Sequence, residues 1–158
     1  MFRKSQRFVS IPWFIAAISM ALLIWANSMV AGEGSSALSL SVLQWARGAL
    51  ASLGLPYGWL TNFVVRKAAH VTEYAVLGIL TLQALDPRGK LGVSRRLAAF
   101  VPCCIVAAVD ETIQHFVPGR CGQIADVLID SFGVCLGIAL RCLVVYVFMR
   151  RRSTARGE

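Results

Sequence analysis

The chain has 158 residues, 57% of them hydrophobic and 15% charged, and a formal net charge of +8. That length fits one domain, and so little charge beside long apolar runs excludes an ordinary soluble globule. Its bases fall in separate blocks and form no single basic face, which excludes a nucleic-acid-binding surface.

A membrane-crossing helix needs about 20 mostly apolar residues. Stretches 11–31, 63–85, 97–117 and 127–149 meet that length, predicting an all-α polytopic membrane protein with a bundle of four transmembrane helices. Residues 1–150 are expected to form one transmembrane domain, and 151–158 a basic tail, disordered or lying on the membrane surface. Arg3, Lys4 and Arg7 precede the first span. Arg88, Lys90, Arg95 and Arg96 crowd the connection after the second, and Arg150, Arg151, Arg152 and Arg156 follow the last. The remaining connections hold only Arg47 and Arg120, with Arg66 and Lys67 at a span edge. Short Lys- and Arg-rich loops stay cytoplasmic, so both termini are predicted inside the cytoplasmic membrane and the other two connections outside.

The first span begins like a signal peptide, but its length, Trp13 and Trp25, and the lack of a small-x-small cleavage site near Ala31 favour an uncleaved span. After it, AGEGSSALSLS reads as a loop with helix-start character at Ser36 or Ser39. Leu40, Leu43, Ala46, Leu50 and Leu53 then fall near helical spacing, with Trp45, Tyr57 and Trp59 as interfacial aromatics. The pattern suits either an amphipathic helix on the outer leaflet or a helix packed over the bundle. Pro56 restarts the chain toward the second span.

The second span opens R-K-A-A-H-V-T-E-Y, placing Lys67, His70 and Tyr74 on one helical face with Glu73 close by, about 15 Å in from the start of the span. DPRGKLGVSRR makes a tight turn. The third span ends D-E-T-I-Q-H-F-V-P-G-R, so Asp110 with Gln114 and Glu111 with His115 form two adjacent polar ridges. Pro118, Gly119 and Gly122 make the next connection an ordered turn. The fourth span starts with Asp126 and Asp130 four residues apart, then Gly133 and Gly137, a small-xxx-small motif that permits close helix approach. The five cysteines suggest packing residues and no disulfide framework.

Ionisable groups at bilayer depth are costly and are functional candidates by default. The expected site holds Lys67, His70, Glu73, Tyr74, Asp110, Glu111, Gln114, Arg120, Asp126 and Asp130. If Arg66, Lys67 and Arg120 all pair inward, carboxylates remain in excess, which implies a held proton or cation. A purely structural ion-pair network is the alternative. A metal set of Glu111 and His115 with His70 and Asp126 has ligand spacing but no specific motif, so no metal or cofactor is expected. Catalysis stays open: Glu111, Asp110 and His70 are the candidates, and no GxSxG or P-loop supplies a nucleophile or phosphate cradle.

The segments S-S-A-L-S, R-K-A-A-H-x-x-E-Y, D-E-x-x-Q-x-F-V-P-G-R and D-V-L-I-D-x-x-G-x-x-x-G resemble the VanZ-like family of small membrane proteins. The likeness spans most of the chain and takes in the site residues above with Pro118, Gly119, Gly133 and Gly137. W-A-N-S-M at the end of the first span and Cys121 after Arg120 depart from the family pattern. The resemblance implies the fold, and through the family's namesake a link to teicoplanin resistance without an altered peptidoglycan precursor. The expected function is therefore a cell-envelope accessory protein binding a lipid-linked or amphiphilic ligand at the outer leaflet and influencing glycopeptide susceptibility. In that reading Asp110, Glu111 and Asp126 contact cationic groups or share protons, Lys67 and Arg120 pair with them or with lipid phosphate, and His70, Tyr74 and Gln114 orient the network. The alternatives are an intramembrane enzyme acting on a lipid or cell-wall precursor and a small proton-coupled transporter.

Overall fold

The computed structural model describes residues 9–90 and 92–154, with side chains outside 33–36 and 152–154. Arg3, Lys4, Arg7 and Arg156, and the side chains of Ser35, Ser36 and Arg152, lie outside that description. The described residues form five helices and no strand: α1 (Ile11–Ser28), α2 (Gly32–Ser52), α3 (Asn62–Leu85), α4 (Val93–Phe116) and α5 (Ile124–Thr154). Helices α1, α3, α4 and α5 are long and apolar enough to cross a membrane.

Local chemistry explains several helix ends. Pro12 occupies the first turn of α1, where its missing N–H costs no helical bond. The Thr61 hydroxyl accepts from the Val64 N–H at 3.3 Å and caps α3. Two boundaries differ from the sequence expectation. Helix α2 begins at Gly32, because its first turn is fixed from outside: the Gly32 N–H donates to the Pro118 carbonyl at 3.1 Å. Helix α5 continues through the basic block to Thr154, so the first part of the expected tail is helical.

The bundle is apolar outside as well as inside. Ile15, Leu22, Leu97, Ile105, Leu128, Leu136 and Leu143 are exposed on the spans, an exterior that suits acyl chains. The core is small: Ile24, Tyr74, Leu77, Leu82, Ala99, Cys103, Ala107, Val134 and Ile138. Of the predicted α2 stripe, Leu43 is buried, Ala46 and Leu50 are half-buried, and Leu40 and Leu53 are exposed. Helix α2 thus packs on α3 while Leu38, Val42 and Trp45 stay exposed.

The most extensive contact joins α3 and α5, which run parallel. A Cβ on Gly133 would stand 2.7 Å from the Val71 carbonyl oxygen, and one on Gly78 would stand 2.8 Å from that of Val134. A Cβ on Gly137 would overlap the Ala75 carbonyl outright. The small-xxx-small reading of Gly133 and Gly137 therefore corresponds to backbone contact between helices. Gly137→Val is expected to lower unfolding free energy in detergent by about 1–3 kcal/mol. Gly48, with nothing within 4 Å of its Cβ position, should accept Ala with a change of at most about 1 kcal/mol, on the stabilising side. Denaturant titration of both variants checks the contrast.

Candidate functional site

The parallel register of α3 against α5 turns two sequence spacings into ion pairs. Lys67 meets Asp126, and one turn deeper His70 Nδ1 lies 3.5 Å from Asp130 Oδ1. Helix α4 delivers Asp110 and Glu111 to the same level. His70, Asp110, Glu111 and Asp130 each place a ligand atom within 4.8 Å of the others. Asp110, Glu111 and Asp130 are buried, at 0%, 5% and 1% exposure.

Gln114 organises the α4 side of this cluster. Its Nε2 donates to Asp110 Oδ2 at 3.0 Å, Glu111 Oε1 at 3.3 Å and Ser28 Oγ at 3.2 Å. The Gln123 backbone N–H donates to Glu111 Oε2 at 2.8 Å. Both Glu111 oxygens are thus accepting. Asp110 Oδ1 and both oxygens of Asp130 are buried with no hydrogen-bond partner, as is the Tyr74 hydroxyl.

The expected site residues do not all meet. Glu73 faces α1, where Asn27 Nδ2 donates to Oε1 at 3.0 Å. Asp126 is occupied with Lys67, whose ammonium also lies 5.3 Å from the centre of the Phe63 ring. His115 is exposed and stacks edge-on with Phe116. The Glu111–His115–His70–Asp126 metal set is therefore not assembled, because Glu111 is buried on α4 and His115 is exposed.

Of Arg66, Lys67 and Arg120, only Lys67 pairs with a carboxylate among the described residues. Arg120 turns to the end of α1, donating from Nε to Val30 O at 2.9 Å and from Nη2 to Asn27 O at 2.8 Å. It satisfies carbonyls that a helix end leaves open. Burial pushes the Arg120 guanidinium below its ordinary value, and repulsion from Arg66 is the next cause. Among the described residues, neither Arg66 nor Arg120 has a carboxylate within ion-pair distance.

Those two arginines border two cavities. One, of about 610 Å³, lies among α1, α2 and α3, with Leu38, Val42, Leu60, Val64 and Val65 on its walls together with the polar Arg66, His70, Glu73 and Arg120. Another, of about 240 Å³, is lined by Arg66, Lys67, His70, Gln114, Arg120 and Asp126 among others. His70 lines both and belongs to the acidic cluster as well.

Sequence reasoning missed the polar contributions of α1, Asn27 and Ser28, whose only signal was two polar residues closing an apolar run. It also missed a network at the opposite end of the bundle. Asp86, 0% exposed, accepts from Arg95 Nη1 at 3.0 Å and lies 3.9 Å from Arg141 Nη1. Arg141 also donates from Nε to Gln83 Oε1 at 3.1 Å. An arginine inside the fourth apolar run was the available signal.

This is a small polytopic helical bundle with a buried carboxylate–imidazole cluster beside an amphiphilic cavity. The sequence profile described as VanZ/LLP1 matches residues 13–148, and the chain belongs to that family. The family links it to membrane proteins of glycopeptide resistance. Comparison with curated proteins and with solved structures gave no match.

The geometry predicts opposite signs for two isosteric substitutions, measured with a chelator present and above the pH at which His70 loses its proton. Asp126→Asn strands the Lys67 ammonium and should lower stability by about 1 kcal/mol. Asp130→Asn removes one of three crowded carboxylates and should raise stability. Thermal unfolding of both variants in the same detergent measures the signs.

Proposed function

We propose that this protein is a cell-envelope accessory protein of the cytoplasmic membrane, with both termini cytoplasmic. It binds a lipid-linked or amphiphilic ligand at the outer leaflet and thereby alters glycopeptide susceptibility, teicoplanin above all. The observation that carries the reading is the cavity of about 610 Å³ that joins aliphatic walls to Arg66 and Arg120. Its volume falls in the range of small-molecule sites. Arg66, with no carboxylate partner among the described residues, suits a phosphate or carboxylate head, which an arginine binds bidentately, while the aliphatic walls suit a chain. Glu73 and His70 in the same lining supply polar contacts of the other sign. Asp110, Glu111 and Asp126 act from behind, holding the shape and charge of that lining. The basic connection between α3 and α4 supports the orientation, because it lies at the far end of the bundle from Arg120 and such loops stay cytoplasmic.

A second reading, an intramembrane enzyme acting on a lipid or cell-wall precursor, draws support from His70, which borders the cavity and the carboxylate cluster together. Turnover of a lipid-linked phosphate by the purified protein, abolished in Glu111→Gln, would replace the accessory reading with this one.

The test compares wild type, Arg66→Gln and Glu111→Gln at matched membrane abundance in a susceptible Gram-positive host. Wild type is expected to reduce susceptibility to teicoplanin and not to vancomycin. Arg66→Gln, which removes a cavity charge without breaking a bond inside the protein, is expected to abolish the protection. Equal protection by wild type and both variants would sink the role of the cavity and of the cluster behind it.

A further inference from the structure

The buried cluster carries an inference separate from the cavity and its ligand. We infer that His70, Asp110, Glu111 and Asp130 form a binding site for one divalent transition cation, Mn²⁺ or Zn²⁺.

Charge supplies the first argument. Asp110, Glu111 and Asp130 converge at one level of the bundle, each nine-tenths buried or more. The lone base within ion-pair distance of them, among the described residues, is His70. Lys67 is committed to Asp126, Arg120 to the carbonyls of α1, and Arg95 and Arg141 to Asp86 at the other end. Three carboxylates cannot share such a place as anions without a compensating positive charge.

The orphaned atoms supply the second, independent argument. Asp130 is 1% exposed and neither of its oxygens accepts a hydrogen bond, with His70 Nδ1 3.5 Å from Oδ1; Asp110 is 0% exposed and its Oδ1 likewise accepts none. Buried polar atoms almost always have partners. Asp130 and Asp110, which bear these oxygens, belong to the group of four residues whose ligand atoms come within 4.8 Å of one another, a separation that one central ion can span. The other oxygens of the two α4 carboxylates are held by hydrogen bonds, Asp110 Oδ2 and Glu111 Oε1 by Gln114 and Glu111 Oε2 by the Gln123 N–H, and a Glu111 oxygen so held keeps a second lone pair for an ion. Outer hydrogen bonds of this kind orient ligating carboxylates.

The donor set selects the ion. Carboxylate oxygens suit Mg²⁺, Ca²⁺ and Mn²⁺, whereas an imidazole favours Mn²⁺ or Zn²⁺ over the alkaline-earth ions. Ligands contributed by three helices of a bundle are a recurring way to build such a centre. The cavity of about 240 Å³, lined by His70 and Gln114, gives an approach from the bundle end.

The experiment uses full-length protein purified in detergent, stripped by chelator, then equilibrated separately with Mn²⁺, Zn²⁺ and Mg²⁺ and measured by elemental mass spectrometry. Wild type should retain about one Mn²⁺ or Zn²⁺ per chain and little Mg²⁺. Asp130→Asn and His70→Gln should bind roughly 10-fold more weakly or worse, while His115→Gln, exposed and outside the cluster, should bind as wild type does. Retention of far less than one ion by wild type overturns the site, and so does equal binding by Asp130→Asn or equal loss in His115→Gln. Should a variant fail to fold, the Mn²⁺-loaded wild type decides alone. Pulsed electron spin resonance must show coupling to an imidazole nitrogen, and its absence overturns the assignment.

Discussion

Helices α3 and α5 touch through their backbones, and that contact sets everything above it. Where Val71 and Ala75 offer carbonyls, α5 offers Gly133 and Gly137, so no side chain separates the two helices. In a bilayer, packing replaces the hydrophobic effect as the force between helices, and small residues are what permit it. The register so fixed places Lys67 beside Asp126, His70 beside Asp130 and Gln83 beside Arg141 along one parallel seam. A one-residue shift would rotate each partner by about 100° around its helix and dissolve all three contacts.

Helix α4 brings carboxylates to that seam without bringing bases. Among the described residues, the lysine and arginines near the site end are turned elsewhere: Lys67 to Asp126, Arg120 to the end of α1, Arg47 to the Leu60 carbonyl and Arg66 to the cavities. The opposite end does the reverse, setting Arg95 and Arg141 around the single buried carboxylate of Asp86. One end of the bundle is neutralised from within and the other is not. On that asymmetry rests the inference that the carboxylate cluster takes up a cation.

Much of this was legible in the sequence because helix periodicity and span length are local properties. The runs beginning near Ile11, Phe63, Leu97 and Val127 had no other use than spans, and Asp126 and Asp130, four residues apart, share one helix face by spacing alone. What stayed hidden depended on partners distant in the chain. GEGSS reads as loop, yet Gly32 opens a helix because Pro118 receives its N–H. Glu111 and His115 share a spacing, but the spacing cannot say that α4 is buried at one and exposed at the other. Arg120 looked like a partner for acids, and instead the free carbonyls of α1 took it.

The clasp between Arg120 and α1 also bears on biogenesis. Synthesis delivers α1 to the membrane first, yet the groups that hold its far end arrive much later: Glu73 is 46 residues beyond Asn27, Gln114 is 86 beyond Ser28, and Arg120 is 90 beyond Val30. Until then Asn27 and Ser28 have only water or headgroups to satisfy them. Insertion of α1 and its final seating are thus separate events in time, and the nascent chain must wait for the turn after α4 before its first helix has a fixed depth.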